Sequence, residues 1–254
     1  MKIIKNKQDI KQYSSQEEIL NRKKMFDLLK KCPIPDEQLL SNIGLFIESK
    51  NLARILFMDF LYRKILETQG SIMEFGTRWG QNVALFSALR GIYEPFNRHR
   101  KIIAFDTFEG FPSINAKDGM SDLMRKGQLD TTKNYEKFLN DILLTHEASN
   151  PLGHLNKFKI CKGNAIKELQ KYLKNNPETI ISMAYFDFDI YEPTKKCLEM
   201  IIPRLTKGSV IGFDELNDPD SPGETLALME TMNLNKISLK KYQFASRVSY
   251  FVVD

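Results

Sequence analysis

Residues 184–193 read AYFDFDIYEP. Asp187 and Asp189 stand in a run that is otherwise apolar and aromatic, and no lysine or arginine is close enough in sequence to neutralise them. A carboxylate in apolar surroundings must pair with a cation, take up a proton or bind a metal, because an isolated buried charge is costly. Other acids stand in comparable settings. Glu74 lies in SIMEF, Asp106 follows KIIAF, and Asp214 and Glu215 follow SVIGF. Carboxylates placed in this way accept protons, hydrogen-bond the hydroxyls of a ribose, or ligate hard cations.

The elements that would position these acids are legible from the hydrophobic pattern. Short apolar runs at 71–75, 101–105, 157–161, 181–186 and 209–213 read as strands, and they alternate with helical stretches such as QNVALFSALRGIY and AIKELQKYLKNN. Strands alternating with helices predict a parallel sheet covered on both faces. The tail differs: KISLKKYQF and RVSYFVVD read as two strands joined by a short turn, an antiparallel pair at one edge. Ligands of such sheets bind outside the C-terminal strand ends. Acids mark the ends of the first, second, fourth and fifth strands, and Gly163-Asn164 marks the third.

Upstream, residues 1–68 read as a helical extension that covers substrate or mediates oligomerisation. SSQEEILNRKKMFDLLKKC begins with a serine cap and Glu17 three positions on from Ser14, and Pro33 and Pro35 end it. PDEQLLSNIGLFIESKNLARILFMDFLYRKILET then carries apolar residues at helical spacing. The catalytic domain spans 69–254. Its segment 113–155 is long for a connection and reads as a mobile substrate lid.

Two loops look built for a ligand. In EFGTRWGQN, Gly76 lets the backbone approach a ligand closely and Gly80 relieves crowding at a helix start. The spacing is not that of the dinucleotide fingerprint. In FDTFEGFP, Asp106 is placed to bind ribose hydroxyls, with Phe108 and Phe111 either flanking an adenine or packed in the core.

Taken together and in this order, EFGTRWG, AFDTFEGFP, FDFDIYEPT and PRLTKGSVIGFDE resemble the macrocin-type, metal-dependent sugar O-methyltransferases across residues 70–230. The resemblance implies an α/β fold, the class I methyltransferase (Rossmann-like) seven-stranded sheet with an antiparallel last strand pair. It implies S-adenosylmethionine as cofactor, held by Glu74, Gly76, Thr77, Arg78, Trp79, Gly80, Asp106, Thr107, Phe108, Gly163, Asn164 and Asp187. It places a divalent cation, Mg2+ or a relative, on Asp187, Asp214 and Glu215, with Asp187 also the catalytic base. Glu215 departs from the family's usual aspartate, and Asn164 replaces an acid common after the third strand. The implied acceptor is a sugar hydroxyl on a nucleotide-sugar, a surface glycan or a natural-product glycoside. A metal-free methyltransferase for a small amine is the alternative, and a non-catalytic S-adenosylmethionine-binding protein a second one.

Composition narrows the partners. Of the 254 residues 42% are hydrophobic, enough for a core, and a net charge of +5 spread along the chain argues against nucleic acid. The densest basic cluster, NRHRK at 97–101, reads as a solvated loop or a phosphate contact. No apolar run is long enough to span a bilayer, and MKIIKNKQDIKQYSSQEE lacks a signal peptide's apolar centre, so no membrane partner and a cytoplasmic location are expected. Cys32, Cys161 and Cys197 fit neither a disulfide framework nor a zinc site, and His99, His146 and His154 fit no metal spacing. Apolar stretches such as IGLFI predict a homo-oligomer, in the simplest case a dimer.

Overall fold

The computed structural model describes residues 14–254, so the first part of the helical 1–68 reading lies outside the described residues. Two helices, α1 (Gln16–Lys30) and α2 (Asp36–Leu39), lead through a 3-10 stretch (Leu40–Phe46) to α3 (Ser49–Lys64). The sheet strands are β1 (Ser71–Phe75), β2 (Ile102–Asp106), β3 (Phe158–Lys162), β4 (Ile181–Phe186), β5 (Leu205–Phe213), β6 (Lys240–Tyr242) and β7 (Ala245–Val252). Between them lie α4 (Gln81–Tyr93), α5 (Tyr135–Ala148), α6 (Ala165–Asn175), α7 (Tyr191–Ile201) and α8 (Gly223–Thr231). Strand order is β3-β2-β1-β4-β5-β7-β6. The first five strands are parallel, and β7 runs antiparallel to both β5 and β6. The expected seven-stranded mixed sheet with an antiparallel last pair is what the chain forms.

Side chains alternate between the two faces, as strand geometry requires. Ile72, Ile102, Met183, Tyr185 and Val210 meet α3, α4 and α5 on one face. Met73, Ile103, Ala184, Ile211 and Phe251 meet α6, α7 and α8 on the other. Near the C-terminal strand ends Phe105, Phe75, Phe186 and Phe213 form a rung across four neighbouring strands, with centroids 5.1, 4.7 and 5.3 Å apart. β1 sits between β2 and β4, so the chain reverses its winding there, and the crevice for a ligand opens above Phe75 and Phe186.

Several expectations shift. The capping box of α1 is Ser15 with Glu18, one residue later than the Ser14–Glu17 reading. The second half of the stretch 36–64 forms the long helix that its apolar spacing predicts, α3. Gly44 lies in the 3-10 stretch and Glu48 is extended, which resets the axis before α3. Within α3, Phe57, Met58, Leu61 and Tyr62 are fully buried, so this helix is part of one sheet face rather than an added cover. Segment 113–155 also divides. Its second half contains α5, the crossover helix between β2 and β3, whose Leu139 and Leu143 are core residues. Its first half is irregular apart from a 3-10 turn at Ala116–Asp118.

Two charged centres are buried outside the strand ends. Glu147 of α5 pairs with Arg90 of α4 and, at 2.7 Å, with Lys157; all three are nearly inaccessible. Arg100, read in sequence as part of a solvated loop or phosphate contact, is 1% exposed. It donates to the carbonyls of Ile65, Thr68 and Gly70 and pairs with Glu94 at 2.8 Å, so it staples α3 to the start of β1. Cys32, Cys161 and Cys197 are all unpaired thiols.

Candidate functional site

The C-terminal ends of β1, β2, β4 and β5 open onto a cleft of about 1350 Å³. Single small-ligand pockets usually measure roughly 300–1,000 Å³, so two substrates can lie side by side here. Gly76, Asp106, Asn164, Asp187 and Asp214 line it from the strand ends. Arg54 reaches it from α3, Arg247 from β7, and Met120 to Leu123 border it from the irregular half of segment 113–155.

Asp187 and Asp214 face one guanidinium. Arg54 donates from Nη2 to Asp187 Oδ2 at 2.6 Å and from Nη1 to Asp214 Oδ1 at 2.7 Å, and its Nε approaches Asn82 Oδ1 at 3.4 Å. Tyr185 O–H donates to the same Asp214 oxygen at 3.0 Å. This is the partner that the opening run of acids lacked, supplied from 133 residues upstream. Burial raises the Asp187 carboxyl well above the usual carboxylate range, Asp214 adds to that rise, and Arg54 opposes it. Burial works against the Arg54 charge, but Asp187 and its neighbours outweigh it and hold the guanidinium's pKa above its ordinary value.

Glu215 does not join them. Its side chain is 1% exposed and ion-paired with Arg247, whose Nε lies 3.5 Å from Asp218. Of the expected set of Asp187, Asp214 and Glu215 around one divalent ion, only Asp187 and Asp214 face each other here, across Arg54. The fifth strand ends at Phe213, and consecutive residues beyond it point apart, sending Asp214 to Arg54 and Glu215 to β7. Among the described residues, no group of three or more histidines, cysteines, aspartates or glutamates is arranged to hold a metal ion. The donors present do not fit the Mg2+ that the resemblance implied.

The strand stops at Phe186, and Asp189 adopts φ +61° and lines the cleft wall. Burial and Asp214 raise its carboxyl above the usual range, while Arg247 and Arg78 oppose them. Glu224, at the start of α8 and fully buried, holds this loop by accepting the N–H groups of Phe188 at 2.8 Å and Asp189 at 3.3 Å.

The loop after β1 is tight. Gly76 has φ +92°, and a Cβ there would lie 2.0 Å from the Asp187 carbonyl oxygen, so glycine is required by the β4 backbone as much as by any ligand. Gly80, at φ +75°, meets the Leu139 side chain. Trp79 is 43% exposed and packs edge-on against Tyr135, centroids 4.8 Å apart. Glu74 is buried under this loop with Oε2 unpartnered, and burial pushes it up to about 8 against a hydrogen bond from Asn82. Asp106 accepts the backbone N–H of Arg78 at 2.7 Å and that of Phe108 at 2.6 Å, tying the loops after β1 and β2 together. Thr107 Oγ1 donates to the Gly110 carbonyl. The Phe108 ring is not a cleft wall: it is 5% exposed and packs in the core beneath α5, so only its backbone serves the site. Asn164 Oδ1 caps α6 by accepting Lys167 N–H at 3.2 Å, and the residue also lines the cleft.

Residue spacing did not identify Arg54, Tyr185, Glu224 or Arg247 as site residues. A signal existed only for Arg54. It stands three and four residues before Phe57 and Met58, on the stripe of α3 that turns inward. Nothing local marks the other three.

The chain is 39% identical to CalS11, a calicheamicin methyltransferase, over 95% of this chain and 94% of that one, with a TM-score of 0.92. A second, apo structure of CalS11, described as a TDP-rhamnose 3'-O-methyltransferase, gives 37% identity over 95% and 96% of the two chains and a TM-score of 0.84. The chain belongs to the sugar O-methyltransferase family. The O-methyltransferase NovP, 13% identical with a TM-score of 0.56 over 80% of each chain, shares the fold. No protein-family model and no curated protein matches the chain. This methyltransferase is thus an S-adenosylmethionine-dependent O-methyltransferase with the class I fold expected of it. No helix among the described residues is long and apolar enough to cross a membrane.

Proposed function

We propose that this methyltransferase methylates a sugar hydroxyl on a nucleotide-linked sugar or a natural-product glycoside. The observation that carries this reading is the 37–39% identity, over nearly the whole chain, to an enzyme that methylates TDP-rhamnose. The macrocin-type resemblance supports the same acceptor class. Its metal-assisted chemistry lacks a donor set here, so the reaction is built from the chain's own residues. When bound, S-adenosylmethionine supplies an electrophilic methyl on a sulfonium. The turn from Gly76 to Gly80, with Asp106, Thr107, Gly163 and Asn164, would hold it. Asp106 suits ribose hydroxyls because two backbone amides fix its carboxylate at the cleft wall, leaving lone pairs for further donors. Asp187 accepts the acceptor hydroxyl's proton, and its raised basicity favours that role. Arg54 and Tyr185 hold the neighbouring Asp214 in place.

The direct test is release of S-adenosylhomocysteine with a panel of sugar nucleotides and glycosides, beside a panel of small amines. Release with a sugar acceptor is expected. Release with amines alone overturns the sugar reading in favour of an amine acceptor. Asp106→Ala is expected to weaken S-adenosylmethionine binding by about 1.5–3 kcal/mol for each charge-assisted hydrogen bond lost. Unchanged affinity by calorimetry would remove Asp106 from the cofactor site.

The same reading includes a homo-oligomer. Helix α1 buries none of its residues, and Leu20, Phe26, Leu40 and Leu45 are more than half exposed. Such a patch is covered most simply by a second copy. Sedimentation at micromolar concentration is expected to show a dimer or larger, and a monomer refutes it. The unpaired thiols suit the reducing cytoplasm.

A further inference from the structure

We propose that Arg54 is the resident cation of this site. Its guanidinium occupies the position between Asp187 and Asp214 that a divalent ion would need, so the native protein takes up no such ion there. Three observations carry this. The fork is fully used, with one terminal nitrogen on each carboxylate at 2.6 and 2.7 Å, the charge-assisted arrangement in which a planar guanidinium excels. The arm is rooted in the core, since Arg54 lies one turn before Phe57 and Met58, both with no exposed surface. Glu215, the third carboxylate of the expected set, lies instead against Arg247. A divalent ion could enter only by expelling the guanidinium, breaking both ion pairs and placing two cations side by side.

Arg54 is on this account a positioning residue. It sets the separation and orientation of the two carboxylates, and its charge opposes the rise that burial and Asp214 impose on Asp187. Lysine is a poorer replacement, because its ammonium lacks the planar fork that holds the two carboxylates in a fixed relative orientation. The inference rests on the methyl-transfer reading only for its consequence that turnover needs no added metal. Its main test requires no acceptor.

Free Mn2+ is titrated into the S-adenosylhomocysteine-loaded protein and followed by electron paramagnetic resonance, for wild type, Arg54→Met and Arg54→Met/Asp187→Asn. Wild type is expected to bind no stoichiometric Mn2+. Arg54→Met should bind one ion per chain, because two bare carboxylates then face each other, and the added Asp187→Asn should abolish it. Should Arg54→Met not fold, Arg54→Gln serves in its place. One Mn2+ on wild type, lost in Asp187→Asn, overturns the proposal. So does an Arg54 variant that folds and binds none, since the pair would then have no metal capacity for Arg54 to exclude. Where an acceptor is found, unchanged turnover after exhaustive chelation is expected. Loss of turnover restored by Mg2+ overturns the proposal, whereas failure of every sugar acceptor counts against the function and leaves the Mn2+ result standing.

Discussion

Asp187→Asn is expected to lower turnover by about 10²–10⁴-fold, the usual worth of a positioned general base. Cofactor affinity should stay within a few-fold. Asparagine keeps the shape of the side chain and can still meet Arg54, but it cannot accept the hydroxyl proton. The fold should tolerate the change. Arg54 would still pair with Asp214, Glu215 would keep Arg247, and the half-buried group of Arg54, Asp187 and Asp214 would lose its surplus negative charge. The pH profile of the native enzyme provides a second check. The base works ionised, and burial with Asp214 nearby raises its pKa above the ordinary 3.8. Turnover should therefore fall on acidification well before the pH at which an exposed aspartate would protonate. Asp187→Asn retaining more than a tenth of native turnover would assign the proton to another group, with Asp189 the next candidate on the cleft wall.

The largest effect on stability is expected at Glu147, far from the cleft. Glu147→Gln leaves Arg90 and Lys157 buried without a counter-charge, and breaking a buried pair in this way costs about 3–5 kcal/mol. Arg90 would still donate to the carbonyls of Arg100 and Lys157 at 3.1 Å, and Lys157 to those of Leu152 and Leu155. Those bonds satisfy donors but supply no full negative charge. Lys157→Met should cost less, because the Arg90–Glu147 pair stays neutral. Urea denaturation of both variants decides the matter. If Glu147→Gln is no more destabilising than Lys157→Met, charge balance is not what this centre contributes. The consequence for function is indirect. Glu147 ties α5 to α4, and α4 begins at Gly80, the end of the loop expected to cradle the cofactor.

The sequence by itself determined the sheet. Five apolar runs of strand length, separated by helical patterns, specify parallel strands covered on both faces, since only such strands can be apolar on both sides. The alternating tail specified the antiparallel edge. Strand ends followed by acids specified where the cleft lies, because sheet topology places ligands there whatever the loops do. Asp106, Asp187 and Asp214 were legible for that reason, each being the first or last residue of its strand or next to it. Local signals also gave the glycines of the first loop, though the backbone of Asp187, rather than a ligand, is what excludes a side chain at Gly76.

What only the tertiary structure decided is what these acids face. Arg54 and Asp187 are 133 residues apart. No periodicity or spacing links them; they meet because α3 packs its Phe57–Tyr62 stripe on the sheet and so aims its first turn at the strand ends. Arg247 takes Glu215 because β7 returns antiparallel beside β5. Asp189 lines the cleft beyond the end of β4, where the chain turns left-handed and its loop is held by Glu224. Charge pairing in a core depends on which elements stack on which face, and that is a property of the packed chain. The carboxylates were written in the sequence, and the cation between them was chosen by the fold.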